Sequence, residues 1–461
     1  MAATLLDDIA AARAACQEVI ERHLWVVATP ILVESEGVAL SLLRLGARRV
    51  MCVGVTEGVR LTPAPLEHEG LTRLCLSRHF EGGDLMTGIR AGEAALDALP
   101  QEALAALDAF DPVGEALALR TIFSTSPTLA GRRVFGARPP SWVALEDKLV
   151  VDQLWDEAGV RRAPSRIVAL EEEALLGAWE ALGGVPVVVA GDNRAGWHGG
   201  ASRTRWARTP AELSRVAREL GAECERARVM PFLEGISCSI HAWVSPEGAV
   251  VSFRPCEMLV TPSAETRFEY LGAATSWRPP GRIAAEMRGA AERVARHLRD
   301  RFGYRGSFTV DGVATAEGFF PTELNPRFGG ALGRMSLSLP DLPLLLMHFL
   351  AVEGYPIGLS LEVLRARLVE GVEASPVVRG MRELSEPCAT PTRAFARLVE
   401  GRWCRHAGAE GSDAELTWGS ALHGSLVFCV LRPGVVPPGE VSLPFVLGAL
   451  GLAREVFLGE A

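Results

Sequence analysis

Three polar residues stand on alternate positions in PTELNPRFGG, residues 321–330: Glu323, Asn325 and Arg327. In a strand, alternate side chains share a face. A carboxylate and a carboxamide oxygen are hard ligands that suit Mg2+. A guanidinium beside them suits a phosphate or a carboxylate. The competing reading of this segment is a solvated strand edge with chance polar residues. Upstream, SFTVD (307–311) leads through GVATAEG into FFPTELN. A hairpin with its loop centred on Glu317 sets Asp311 opposite Glu323, and directly opposed residues point to one face. Asp311, Glu323 and Asn325 then converge. Two opposed carboxylates are unfavourable unless a cation lies between them. Mg2+ is such a cation, since it takes few protein oxygens beside phosphate and water oxygens. Taken alone, Asp311 is better explained as the start of a turn, Asp-Gly being a common turn pair.

The elements that must position these residues follow from periodicity. HLWVVATPILV (23–33) and RRVMCVGV (48–55) read as buried strands, with GVALSLLRLG (37–46) as the helix between them. That is a βαβ unit and predicts a parallel sheet. QEALAALDAF (101–110) and VGEALALRTIF (113–123) read as helices, and GARPPSW (136–142) as a linker. LEDKLVVDQLWDEAGV (145–160) reads as an amphipathic helix ending at Gly159. A strand (163–170), a helix (171–183) and the buried strand GVPVVVAG (184–191) follow. The loop DNRAGWHGGASRT (192–204) then leads to a helix (209–222). RARVMPFLEG (226–235), SCSIHAWVS (237–245) and GAVVSFRPCEMLV (248–260) read as strands, and residues 281–303 as a long helix with a polar face. The chain after about 353 mixes helix and strand. No internal repeat or low-complexity tract is present.

The 461 residues are enough for roughly three domains. Hydrophobic residues make up 48% and charged residues 22%, as in a soluble globular protein with a sizeable core. A net charge of −9 argues against nonspecific nucleic-acid binding. The nine cysteines are dispersed, with neither CxxC pairs nor Cys/His zinc spacing, which predicts reduced thiols in a cytoplasm. The N-terminal stretch lacks the basic region of a signal peptide. LPLLLMHFLAV (342–352) is too short to span a bilayer and reads as a core helix.

GYRGSFTVD followed by ELNPR, in the order helix with "DK", strand, glycine-rich loop, helix, VMPFLEG strand and long helix, resembles the ATP-grasp superfamily of ADP-forming carboxylate ligases. The spacing of the two acids is similar to the metal-binding hairpin of its biotin carboxylase branch. The resemblance covers about 145–352, and the first 120 residues fit the βαβ domain that precedes the grasp. EGISCSIH and FFPTELNPRFGGA are similar to the peptide-ligase branch of bacterial secondary metabolism. The implied fold is α/β (α+β): a pre-grasp domain (1–140), a nucleotide subdomain (141–227), a metal and substrate subdomain (228–352) and a C-terminal α+β extension (353–461).

The resemblance implies that Asp311, Glu323 and Asn325 hold Mg2+, and that Arg327 sits by the transferred phosphate or the acyl phosphate. It implies that Lys148 reaches the nucleotide phosphates; by itself Lys148 reads as an exposed lysine at a helix start. Gly196, Gly199 and Gly200 fit the flexible loop over the phosphates, where glycine lets backbone NH groups approach closely. His198 in that loop reads as solvated. In VMPFL (229–233), the Pro231 carbonyl and the Leu233 NH suit the adenine edge, and Glu234 a ribose hydroxyl. Arg334 fits either a carboxylate ligand or a surface helix residue. Two departures stand out. Ala190 occupies the position where many members carry a second lysine, with Arg194, Arg203 and Arg205 as candidate substitutes. Ser237 stands where an acid usually follows the hinge glycine.

The implied reaction forms an acyl phosphate from a carboxylate and ATP, then an amide with an amine. The implied cofactors are ATP and Mg2+. The implied partners are small-molecule carboxylates and amines, without nucleic acid or membrane, and a homodimer is compatible. Two other readings stay open. One is an aminoacyl–carrier-protein ligase with a thiol acceptor, for which the basic stretch 288–301 offers a surface, although a solvated helix face explains that stretch too. The other is a nucleotide-binding regulator without turnover.

Overall fold

The computed structural model describes residues 2–58, 68–78, 80, 83–194, 199–263, 265–388 and 390–459. Gly196 and His198 lie outside the described residues. The first sheet is parallel, in the order Leu71–Cys75, Val50–Thr56, Trp25–Ile31, Leu117–Leu119. Its two central strands are buried almost throughout, which accounts for their unbroken apolar runs. The connecting helix starts at Leu32, so the end of the 23–33 run is helical.

Three expectations need correction here. Residues 117–119, expected in a helix, form a strand buried beside Trp25–Val27, where burial on both faces outweighs local helix propensity. The expected linker 136–142 is packed: Trp142 is buried and its indole donates to the Phe302 carbonyl at 3.0 Å. The expected helix 145–160 is a 3-10 turn at Ala144–Glu146 followed by an α-helix at Val151–Glu157. Asp147 breaks the run, because its side chain accepts from the Leu149 NH at 2.9 Å and holds a turn. Lys148 therefore sits in a bend.

The second sheet is antiparallel, in the order Arg166–Ala169, Arg226–Pro231, Val187–Gly191, Thr204–Ala207. Val187, Val189, Ala227 and Val229 pack under the helices Glu172–Ala181 and Pro210–Gly221. The opposite face, with Val188 and Met230, meets Phe320 and Leu233.

The third sheet has eleven strands. It runs from Gly318–Asn325 through Gly306–Thr315, Ile236–Val244, Cys256–Pro262 and Phe268–Ala274 into Val378–Leu384 and the strands beyond. The C-terminal strands thus continue the sheet that carries the hairpin. The 248–260 segment is two strands, Val250–Ser252 and Cys256–Pro262, separated around Pro255, which has no NH for a ladder. Helix Gly281–Phe302 buries Met287, Ala291, Val294 and Leu298 against Phe308, Val310 and Leu324. Phe308, Val310 and Leu324 occupy one face of the hairpin, so the alternate residues Thr309, Asp311, Glu323 and Asn325 face the other way. All nine cysteines are free thiols. Among the described residues no helix is long and apolar enough to cross a membrane.

Candidate active site

Asp311 pairs with Glu323, as expected, but by another route. The turn is tight, with Thr315 paired to Gly318, and one extra residue lies between Pro321 and Glu323. Without that bulge at Thr322, Asp311 would face Thr322 and Glu323 would point to the core side. Thr322 holds the bulge by donating from its hydroxyl to the Asp311 carbonyl at 3.3 Å.

On the side of the hairpin away from helix Gly281–Phe302 the groups converge. Ser239 Oγ donates to Asp311 Oδ1 at 2.6 Å, and Asn325 Nδ2 donates to Asp311 Oδ2 at 2.8 Å. Burial and the adjacent Glu323 push the Asp311 carboxyl up to about 7, against the pull of Ser239, Arg327 and Lys148. Lys148 Nζ lies 3.3 Å from Glu323 Oε2 and donates to Thr204 Oγ1 at 3.1 Å. It is 5% exposed, so it is not the solvated lysine that its position at a helix start suggests. It joins the end of the glycine loop to the hairpin.

Arg327 is fixed on three sides. Its Nη2 donates to Asn325 Oδ1 at 2.5 Å, its Nε donates to Glu146 Oε1 at 2.9 Å, and its guanidinium lies 4.7 Å from the Phe123 ring centroid. Arg138 Nη1 donates to the same Glu146 oxygen at 2.5 Å. Glu146 is thus a buried anchor that motif reasoning missed. Its only sequence signal is that it precedes the "DK" pair.

The Gly329–Gly330 pair has a steric cause. A Cβ on Gly329 would lie 2.1 Å from Thr309 Oγ1 and 2.5 Å from His241 Nε2. Glycine lets the start of helix Gly330–Leu337 sit against the strand, with the Leu332 NH donating to His241 Nε2 at 3.2 Å. Burial lowers the His241 pKa to about 3, so the ring is a neutral acceptor. Arg334 on this helix is half-buried, and its Nε has no hydrogen-bond partner.

At the hinge, the Phe232 NH donates to the Pro186 carbonyl at 2.7 Å. In an extended chain the flanking polar groups point the other way, so the Pro231 carbonyl and the Leu233 NH face the side where pairing with the neighbouring strand ended at Val229–Arg166. Glu234 is exposed. Gly199 and Gly200 approach Met86 on helix Leu85–Asp97, where added Cβ atoms would meet its side chain at 3.0 and 3.3 Å.

The arginines proposed to replace a lysine at Ala190 are bound elsewhere. Arg194, Arg203 and Arg205 pair with Glu225, Glu223 and Glu219 at 2.7, 3.1 and 2.9 Å. Arg228 carries no motif signal in the sequence. It is the cross-strand partner of Ala190 and so shares its face. Its guanidinium pairs with Asp152 at 2.7 Å and donates to the Thr322 carbonyl at 3.4 Å.

This arrangement, a parallel N-terminal domain and two sheets meeting over an acidic hairpin, is the ATP-grasp fold. The chain is similar to biotin carboxylase from Campylobacter jejuni in its β-γ-ATP complex, at 13% identity over 88% of this chain and 87% of that one, with a TM-score of 0.57. It is similar to the biotin carboxylase domain of 2-oxoglutarate carboxylase from Hydrogenobacter thermophilus, with ADP and MgADP, at 12% identity over 88% and 86%, TM-score 0.55. It also matches an ADP complex of N5-carboxyaminoimidazole ribonucleotide synthetase, at 13% identity over 95% and 97%, TM-score 0.51. No protein-family model and no curated protein matches the sequence.

Proposed function

We propose that this chain is an ADP-forming ligase that activates the carboxylate of an amino acid or peptide as an acyl phosphate and couples it to an amine. The observation that carries the reading is the opposed Asp311–Glu323 pair with Lys148 and Arg327 on the same cleft. The donor set fits Mg2+ brought in with ATP. Two carboxylates oppose each other there, and burial together with Glu323 raises the Asp311 pKa, which a bound cation would relieve. Asn325 now donates to Asp311 and accepts from Arg327, so its oxygen joins the metal only if the amide turns over. Bound there, Mg2+ would offset the charge of the transferring phosphoryl group.

The chain's own residues do the rest. Pro231 and Leu233 offer an acceptor and a donor to adenine. Lys148, held between Thr204 and Glu323, takes a phosphate oxygen. Gly199 and Gly200 let loop NH groups come close to the phosphates while the loop excludes water. Arg327 retains Nη1 without a partner among the described residues, and this donor is aimed by Glu146 and Phe123. The substrate carboxylate attacks the γ-phosphorus and ADP leaves. The amine then attacks the acyl carbon, its proton passes to solvent, and phosphate leaves. Positioning and charge stabilisation suffice for this chemistry.

Chromatography of the spent nucleotide tests the route. ADP and phosphate are expected, and AMP with pyrophosphate as the main product refutes it. Ala190 is the one feature that keeps the reading without turnover alive, and that reading replaces this one if no nucleotide is consumed with any carboxylate and amine.

A further inference from the structure

The C-terminal strands bring a second set of polar groups to the cleft. Strand Phe268–Ala274 carries an extra residue where the register against Cys256–Pro262 shifts: Gly272 faces Leu259, and Tyr270 faces Val260. The bulge resets the alternation and puts Tyr270 on the face of Ala273. Ala273 is paired with Arg379 of the next strand, so Arg379 shares that face. Gly272 permits the close approach, since a Cβ there would lie 2.4 Å from the Arg379 carbonyl oxygen.

Arg334 arrives from the helix. Tyr270 Oη lies 3.4 Å from where a Cβ of Gly330 would be, and Arg334 is one turn further along the same helix face. The N-terminal domain closes the other side. Glu383, on the same face as Arg379, accepts from the Leu85 NH at 2.9 Å. Glu34 stands in the first turn of helix Leu32–Arg44, at the carboxyl end of the central strand Trp25–Ile31. Strand order reverses beside this strand, the place where open α/β sheets take ligands.

Neither arginine is satisfied. Arg334 Nε and Arg379 Nε are buried without hydrogen-bond partners. The Arg379 guanidinium lies 4.7 Å from the Phe428 ring centroid and forms no ion pair with a described carboxylate, Glu34 included. Two adjacent, partly desolvated guanidinium groups without a counter-ion are costly unless an anion joins them. Resting on the ligase reading, we propose that Arg334, Tyr270, Arg379 and Glu34 form the subsite for a free α-amino acid, its carboxylate on the two arginines and its ammonium on Glu34. Guanidinium forks match a carboxylate in two-point contact. Glu34 is exposed, its carboxyl free for an incoming cation, and desolvation pushes its pKa up to about 7 against the pull of Arg379. An ammonium supplies the missing counter-charge. Burial and Arg334 together lower Arg379 to about 10, and a bound carboxylate relieves both.

The test measures ADP release with Mg-ATP and each proteinogenic L-amino acid, alone and in pairs. The best amino acid is then compared with its 2-hydroxy acid. Wild type should favour the amino acid by about tenfold or more, the value of one charged hydrogen bond. Glu34→Gln should erase that preference. Arg379→Gln should raise the KM for the amino acid about tenfold or more while the KM for ATP holds, and amino-acid protection against thermal unfolding should weaken in parallel. Arg379→Lys should restore part of it. Equal use of the hydroxy acid by wild type, or unchanged KM in both variants, overturns the subsite. If other carboxylates release ADP and no amino acid does, the subsite falls and the ligase reading stands. If no carboxylate does while Mg-ATP still raises the melting temperature, the ligase reading fails and the subsite with it.

Discussion

Asp311→Asn should stabilise the metal-free protein while removing its response to Mg-ATP. Asp311 is pushed from an ordinary 3.8 to about 7 by burial and by Glu323. A carboxyl whose folded pKa is raised destabilises the fold wherever it is ionised, so the penalty is full above pH 7. It fades as pH falls towards 4, because the folded state takes up the proton first. The ceiling is about 4 kcal/mol at 1.36 kcal/mol per unit. Partial solvent access reduces it. The amide keeps only one oxygen, so one of the contacts from Ser239 and Asn325 is lost at about 1 kcal/mol. A net gain of about 1–3 kcal/mol at pH 8 is expected. Urea unfolding with chelator present, at pH 8 and pH 4.5, reads it. Buried His241 and His348, both lowered to about 3, make both proteins less stable as pH falls below 6.5, but they cancel in the difference. In wild type, Mg-ATP at about a hundred times its Kd should add about 2.7 kcal/mol. A variant less stable than wild type at pH 8, or one stabilised by Mg-ATP as strongly as wild type, refutes the opposed-carboxylate reasoning.

Glu146→Gln should cost about 3 kcal/mol in urea unfolding, because buried Arg138 and Arg327 lose their shared charge partner. Its kcat should fall more than its KM for ATP rises, since Arg327 loses its aim. Lys148→Met should raise the KM for ATP about tenfold or more, read from ADP release, because the cation between Thr204 and Glu323 is gone. Deleting Thr322 should remove the bulge yet leave Asp311 opposite Glu323 and Val310 opposite Leu324, so stabilisation by Mg-ATP in urea unfolding should persist, and its loss refutes the assignment of Thr322 as the extra residue.

Legibility in the sequence followed the periodicity. Val50–Thr56, Gln101–Phe110, Pro210–Gly221 and Gly281–Phe302 keep one period over their length, and each forms the element its period predicts. Leu117–Leu119 is too short to carry a period, and the helix-favouring residues around it hide a strand that exists only because Trp25–Val27 pairs with it. Phe268–Ala274 was missed for a similar reason, its alternation being interrupted by Gly272. Motif order along 145–352 carries the fold, and the C-terminal strands have no motif of their own. Lys148 looked exposed because its burial depends on Thr204 and Glu323, which are 56 and 175 residues away in sequence.

Both bulges act on parity. A strand has two faces, so one inserted residue is the smallest change that moves a side chain from core to cleft. At Thr322 the insertion turns Glu323 towards Asp311, and at Leu271 it turns Tyr270 towards Arg379. The predicted pairing of Asp311 with Glu323 came from a loop centred one half-residue too far along, and the unseen bulge supplied the same half-residue. Two displacements cancelled, and the correct partner emerged from an incorrect hairpin. Nothing cancelled at Tyr270, so alternation counted back from Ala273 would set it on the wrong face. Alternating polar residues are therefore evidence for a shared face only on the near side of a bulge. Here the acidic hairpin and the strand that carries Tyr270 each contain one, in strands of the same continuous sheet.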